Sequence, residues 1–418
     1  MHTTTVEMDY PVFSLFATPS KSLEDIYVTE ISDSKSEPED PNEELASQLK
    51  GRTLTWTADM LSMFQDLGWP ALDMDRKKWP AEHEATYQRL KLDMEDILGV
   101  ALAHNPDALA KAIACDYAYF NMVWHPPTIN YDVLLTAALF PTALFVWDDF
   151  ADSNAGLLGQ DFERACEFRR QTLKHMKTSL GLEDGTTDHH SPDEISGPSL
   201  MFSEFAKRIK PMMSTEQLLR IYEQLVVFVN EAEAEHRDRL AGYVPASVSE
   251  YLRKRFNSSG CYPGFYMFEI LNNPAPPLPL WVMQSDEIKT IFDDANYIIS
   301  VHNDLYSLQK EFSHNCLINI VPVLYRSGAV PWDRIMPTLD AELRAAADRL
   351  DAATRRLVEK VLASPTGDGP AMAVAVESLV GGIKYNATGN LGYGLATRRY
   401  GEVWENYKRE DGSIEIVL

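Results

Sequence analysis

Apolar residues recur at helical spacing through most of the chain after residue 80. The stretches are 85–104, 107–124, 129–152, 158–179, 200–241, 247–271, 285–313, 316–326, 331–363 and 369–397. The clearest runs over 285–311, where Ile288, Ile291, Phe292, Ala295, Ile298 and Ile299 form one stripe. Ser285, followed by Asp286 and Glu287, predicts the start of that helix. The stretches before Asp148 and Asn303 are hydrophobic over most of their circumference, as helices at the centre of a bundle are. No succession of short alternating strands, glycine-rich phosphate loop or internal repeat is present. The pattern predicts an all-α fold, a single-domain bundle of about ten to twelve helices.

Two segments interrupt it. Thr29–Ala46 carries seven acids, one lysine and two prolines. Such a segment buries too little apolar surface to offset its ordering entropy. Residues 1–80 are therefore expected to be an irregular, partly disordered acidic arm, followed by the helical domain over 81–405 and a tail over 406–418. Gly181–Ser199 is full of turn formers and acids and predicts a surface loop. His189 and His190, beside Asp188, read there as solvated surface.

Charge narrows the function. Lys and Arg number 38 against 62 Asp and Glu, a net charge of −24, which disfavours nucleic acid or an anionic membrane as partner. An anionic substrate needs a local cationic site or bound metal. Cys115, Cys166, Cys261 and Cys316 form no CxxC pair, so neither a zinc site nor a disulfide scaffold is expected, and a reducing, cytoplasmic setting is the default. The N-terminus has no secretory pattern. Val133–Trp147 is interrupted by Pro141 and is shorter than the roughly 18–20 residues of a membrane span, so it predicts a buried helix.

Two constellations carry chemistry. Asp148-Asp149-Phe150-Ala151-Asp152 closes the apolar helix, and Asp148 and Asp152 share a face. Paired carboxylates against an apolar wall require a cation between them, and hard oxygen ligands suit Mg²⁺; a solvated helix end is the plain alternative. Later, Asn303, Ser307 and Glu311 stand at i, i+4 and i+8, two turns along one face, with Lys310 beside them. Only Glu311 is charged. That set is weak for a free ion and good for an ion whose other ligands come from an anionic substrate.

In these two motifs the sequence resembles the class I terpene cyclases, particularly the fungal-type single-domain ones. That family carries a DDxxD-type motif and, on a later helix, an (N/D)Dxx(S/T)xx(K/R)E motif. Here Asp148, Asp149 and Asp152 match the first, and Asn303 to Glu311 match the second. Two further elements fit. Pro245-Ala246-Ser247 leads through Tyr251-Leu252 to Arg255 and Gly260, where the family has a diphosphate-sensing arginine ahead of a kinked helix. Ser258 and Ser259 then take the linker and effector positions, and Arg253 is the alternative register. Tyr393 to Tyr400 fits the family's terminal Arg-Tyr segment, with Tyr393 for Trp and Thr397 for Ser, leaving Arg399 and Tyr400 as matched. The resemblance covers roughly residues 110–405.

The resemblance implies a helical fold around an apolar cavity and three Mg²⁺ ions on Asp148, Asp149, Asp152, Asn303, Ser307 and Glu311. It also implies diphosphate donors at Arg255, Asn303, Lys310, Arg399 and Tyr400. Asp148, Arg255, Ser259, Arg399 and Tyr400 are then the expected catalytic residues. The implied reaction ionises an isoprenoid diphosphate, farnesyl diphosphate being the first choice, and cyclises the cation. Aromatic faces suit that cation, and Phe120, Trp124, Phe145, Phe265 and Tyr393 are the leading candidates, with Tyr117, Tyr297 and Trp147 behind them. Three alternatives stand: a diterpene cyclase using geranylgeranyl diphosphate, a chain-elongating prenyltransferase, and an inactive helical scaffold. Elongation needs a second DDxxD, and Asp293-Asp294 lacks the third acid. A monomer or homodimer is expected.

Overall fold

The computed structural model describes residues 41–126, 130–151, 158–183, 197–272, 277–365 and 367–418. The chain opens with α1 (Pro41–Leu49), the strand β1 (Thr53–Trp56) and α2 (Ala58–Asp66), then α3 (Ala81–Ala101), α4 (Pro106–Ala114) and α5 (Tyr117–Trp124). Next come α6 (Tyr131–Ala151), α7 (Phe162–Ser179), α8 (Gly197–Ile209) and α9 (Thr215–Leu240). These are followed by α10 (Val248–Ser258), α11 (Cys261–Met267), α12 (Leu280–Met283), α13 (Asp286–Ser313) and α14 (Ile320–Arg326). The last elements are α15 (Ile335–Leu362), α16 (Gly369–Ala396), α17 (Val403–Tyr407) and β2 (Ile414–Val417).

Local chemistry sets the helix starts. Ser285 caps α13 by accepting from the Ile288 amide, as its sequence predicts. The run expected over 200–241 divides into α8 and α9, because Ser214 and Gln217 form a reciprocal capping box there. Helices α6, α13 and α16 are buried around most of their circumference and form the centre of the bundle. The whole predicted stripe of α13 is buried. Helix α6 is the one described helix long and apolar enough to cross a membrane, and it is largely buried by its neighbours. Pro141 lies within α6. Next to it, Thr142 Oγ1 and Asn121 Nδ2 donate to the Ala138 carbonyl, at 2.7 and 3.4 Å. Where α5 crosses α16, a Cβ on Gly389 would stand 2.1 Å from the Val123 carbonyl oxygen, so only glycine seats that crossing.

The ends depart from expectation. Residues 1–40, with most of the acidic segment, lie outside the described residues, as do 184–196 of the predicted loop, including His189 and His190. Residues 41–66, however, are not irregular. Leu45, Leu49, Trp56, Met60, Met63 and Phe64 are all buried. β1 pairs antiparallel with β2, with Thr53 opposite Val417 and Trp56 opposite Ile414. The expected C-terminal tail is thus part of a two-stranded ribbon, which Gln309 ties to α13 through the Val417 carbonyl at 3.3 Å. Four-residue strands at opposite ends of the chain show too few alternations to be legible locally. Because Trp56 is wholly buried, Trp56→Ala is expected to lose about 3–5 kcal/mol of stability by urea denaturation.

Candidate active site

Two aspartates end α6 with different surroundings. Asp149 is mostly buried; it accepts from Arg399 Nη1 at 2.9 Å on each oxygen and pairs with Lys111 at 3.2 Å. Burial alone would raise the Asp149 carboxyl, but Arg399 and Lys111 outweigh it and hold it below the usual carboxylate range. Asp148 keeps 45% of its side chain exposed and meets Arg399 Nη2 at 3.3 Å. It is Asp148 that faces the cavity. Asp152 lies outside the described residues. Arg399 sits on the short turn Arg398–Tyr400 beyond α16, which Thr397 Oγ1 caps by accepting from the Arg399 amide.

On α13, Asn303 Oδ1 accepts from Arg255 Nη2 at 2.8 Å, and its Nδ2 donates to the hydroxyls of Tyr306 and Tyr400 at 3.1 and 3.2 Å. Arg255 Nε donates to Asp304 at 3.2 Å. Asp304 is buried and also accepts from the Tyr251 hydroxyl and the Ile320 amide. It anchors Arg255, a role the motif spacing alone did not assign. Ser307 Oγ is buried and makes no hydrogen bond of good geometry. Glu311 accepts from Asn319 Nδ2 at 2.9 Å; burial, then neighbouring Asp304, push its carboxyl upward. Burial likewise pulls the Lys310 ammonium downward, with Arg399 adding to the effect.

The predicted helix break is present. α10 ends at Ser258, Ser259 follows as its cap, and Gly260 adopts φ +72°, from which α11 starts. A non-glycine residue would be strained at that angle. Ser258, Ser259 and Gly260 all line the cavity, as does Arg255 one turn earlier, whereas Arg253 is exposed. Of the two candidate registers, only Arg255 borders the cavity. Arg255→Lys keeps the charge but loses the planar fork that spans Asn303 and Asp304. Steady-state kinetics are expected to show about a hundredfold loss in kcat/KM for it, and little change for Arg253→Lys.

Two adjoining cavities share a wall. The inner one is mainly apolar, with Trp124, Phe140, Leu144, Phe145, Phe228 and Phe268 among its lining. The outer one is polar, with Lys111, Glu235, Arg239, Lys310 and Glu311. Asp148, Arg255, Asn303, Arg399 and Tyr400 line both. Of the five expected cavity aromatics, Trp124 and Phe145 face inward. Phe120 and Tyr393 stand behind them, with Phe120 packing on Trp124 at 4.2 Å and Tyr393 on Phe120 at 4.8 Å. Phe265 packs on Phe292 at 5.3 Å. Trp147 turns away and donates to Thr172 Oγ1 at 3.0 Å. Phe140, Phe228 and Phe268 hold the places that were expected of Phe120, Phe265 and Tyr393.

The donor set fits a hard divalent ion. Asn303, Ser307 and Glu311 offer oxygen ligands on one face, the Ser307 hydroxyl makes no hydrogen bond of good geometry, and a cation would offset the burial of an ionised Glu311. Among the described residues no group of three or more His, Cys, Asp or Glu gathers as a transition-metal centre would. The second acidic pair is unavailable. Asp293 accepts from Tyr262 and Lys289, and Asp294 accepts bidentately from Arg349.

Comparison with known proteins gives the family and the fold. The family model "Terpene synthase family 2, C-terminal metal binding" matches residues 140–349. Sesquiterpene cyclase hepA of Aspergillus oryzae is 25% identical over 354 residues, covering 84% of this chain and 92% of its own. The (+)-eremophilene synthase of Sorangium cellulosum is 29% identical over 276 residues, 66% of this chain and 78% of its own. Among solved structures, germacradien-4-ol synthase from Streptomyces citricolor superposes with a TM-score of 0.61 at 19% identity, covering 76% of this chain and 95% of that one.

Proposed function

Since the chain belongs to terpene synthase family 2, we propose that it is a sesquiterpene cyclase that ionises farnesyl diphosphate and closes the resulting cation into a terpene. The observation that carries the reading is the five-residue seam between a polar mouth and an apolar cavity. A substrate with a trianionic head and a hydrocarbon tail places its breaking C–O bond at that seam. Relatives named for C15 chemistry support farnesyl diphosphate over longer chains.

Asp148, Asn303, Ser307 and Glu311 would hold Mg²⁺, in the three-ion arrangement the resemblance implies. Held there, Mg²⁺ would supply charge neutralisation of the diphosphate and Lewis acidity. Arg255, Lys310, Arg399 and Tyr400 donate hydrogen bonds to the same oxygens, and such charge-assisted contacts strengthen as the anion departs. Asn303 Oδ1 holds Arg255 Nη2 in this conformation while Asp304 holds its Nε; were Asn303 to ligate a metal ion, Arg255 Nη2 would be available to the diphosphate. Beyond the seam, Phe140, Phe145, Phe228 and Phe268 exclude bulk water and present ring faces to the cation. The four unpaired cysteines accord with a reducing cytoplasm.

The test is incubation with geranyl, farnesyl and geranylgeranyl diphosphates, with magnesium or with excess chelator, followed by mass spectrometry of the extract. A C15 product from farnesyl diphosphate, lost in chelator, is expected. Full turnover in chelator, or preference for geranylgeranyl diphosphate, overturns the metal or the substrate assignment respectively.

A further inference from the structure

Most polar groups lining the inner cavity are satisfied by the protein. Ser258 Oγ donates to Glu235 at 2.5 Å, Ser259 Oγ to the Phe256 carbonyl at 3.2 Å, and Ser300 Oγ to Asn296 at 3.0 Å. Asn390 donates to the Ile299 carbonyl and accepts from the Tyr306 hydroxyl. Arg399 Nε, at the seam, lacks a partner, and so do three groups away from the seam residues. His125 and Asn386 are each 1% exposed, both line the cavity, and His125 Nε2 and Asn386 Nδ2 have no hydrogen-bond partner. The buried Trp124 Nε1, adjacent in sequence and in the same lining, has none either.

The segments that carry them meet beside one end of the cavity. The His125 ring meets Phe268 edge-on at 5.6 Å. A Cβ on Gly382 would lie 3.6 Å from the same Phe268 ring, and Asn386 follows Gly382 by one helical turn on that face of α16. Trp124 and His125 leave α5 where it crosses α16 at Gly389.

The hydrogen-bonding roles are complementary. His125 Nδ1 lies 2.8 Å from the Asn121 carbonyl, which only accepts, so Nδ1 carries the proton. Burial drives the imidazole down to about 4, against the opposing pull of that hydrogen bond, so the ring is neutral at pH 7. Its Nε2 is then a bare acceptor. Asn386 Nδ2 and Trp124 Nε1 are donors. Two donors and one acceptor match the roughly three bonds of a buried water.

We propose that this end of the cavity holds one water molecule, and that it quenches the final carbocation with His125 as proton acceptor. The inference rests on the cyclase reading and deepens it: the product is a terpene alcohol. The water donates to His125 Nε2 and accepts from Asn386. As the last cation forms nearby, a water lone pair makes the C–O bond. The oxonium proton passes to Nε2, and the positive charge ends on an imidazolium still bonded to Asn121. Opening of the cavity to solvent discharges it. A protonated alcohol is a far stronger acid than even this depressed imidazolium, so the transfer runs downhill.

The experiment uses the full chain with farnesyl diphosphate and magnesium in ¹⁸O-water, diphosphate release being measured beside mass spectrometry of the products. The main product is expected to be an alcohol carrying the label. His125→Phe and Asn386→Leu are each expected to shift the alcohol-to-hydrocarbon ratio about tenfold toward hydrocarbon, a ratio that a general loss of activity does not move. Unlabelled hydrocarbon as the wild-type product, with diphosphate released, overturns the inference and leaves the cyclase reading standing. So does an alcohol whose ratio neither variant changes. No diphosphate release from any allylic substrate removes both.

Discussion

Glu311→Gln is expected to lower turnover by about a thousandfold, the scale of losing several kcal/mol of metal-mediated charge stabilisation, while leaving the melting temperature unchanged or raised. The opposite signs follow from one environment. Glu311 is held by Asn319 Nδ2 at 2.9 Å, a bond that an amide oxygen accepts equally well. What glutamine lacks is charge. Burial and Asp304 both make that charge unfavourable in the fold, so the folded carboxyl titrates above its unfolded value. Its contribution to stability is full below the unfolded pKa and falls as pH rises through the folded one, leaving the ionised form a net cost near neutrality. A carboxylate kept at such a cost accords with the proposed role of Glu311 in holding a cation. Thermal melts beside kinetics check this. A drop in melting temperature with turnover intact would make Glu311 a structural residue.

The aspartates of α6 are expected to separate in the same two measurements. Asp148→Asn should lose about two to three orders of magnitude in kcat, since the carboxylate proposed to hold metal becomes a weak neutral ligand. Its stability should change little, because Asp148 is nearly half exposed and a 3.3 Å ion pair at that exposure is weak. Asp149→Asn removes the bidentate partner of Arg399, whose side chain is 5% exposed. Leaving that guanidinium half-matched in a buried site is expected to destabilise by about 3 kcal/mol. Urea unfolding with single-turnover kinetics resolves the two effects. Equal loss of activity with equal stability would mean that the two carboxylates share one role.

The helical fold was legible because its signals are local. Ser285 caps where predicted, and Ile288 to Ile299 bury as one stripe, since a 3.6-residue period survives any tertiary arrangement. The resemblance carried by the motifs implied that Asp148, Arg255, Asn303, Arg399 and Tyr400 act together, and one seam is lined by all five. The direction each side chain takes was not local. α6 is apolar all round, so nothing in its pattern tells Phe140 and Phe145, which face the cavity, from Trp147, which faces α7. Nor does adjacency tell Asp148 from Asp149; Lys111 and Arg399, far off in sequence, make that distinction. His125 and Asn386 gave no signal either. A lone histidine and a lone asparagine acquire meaning only when a fold withholds their partners.

The crossing at Gly389 bears on how such an enzyme changes its product over generations. Val123 and Trp124 lie directly on α16 there because no side chain intervenes. A methyl group at that position must push the two helices apart, carrying Trp124 and His125 with α5. The cavity would be reshaped with every lining residue unaltered. Product diversification then has a route through backbone seating, and a chemist wishing to redirect the cyclisation has a lever outside the cavity wall.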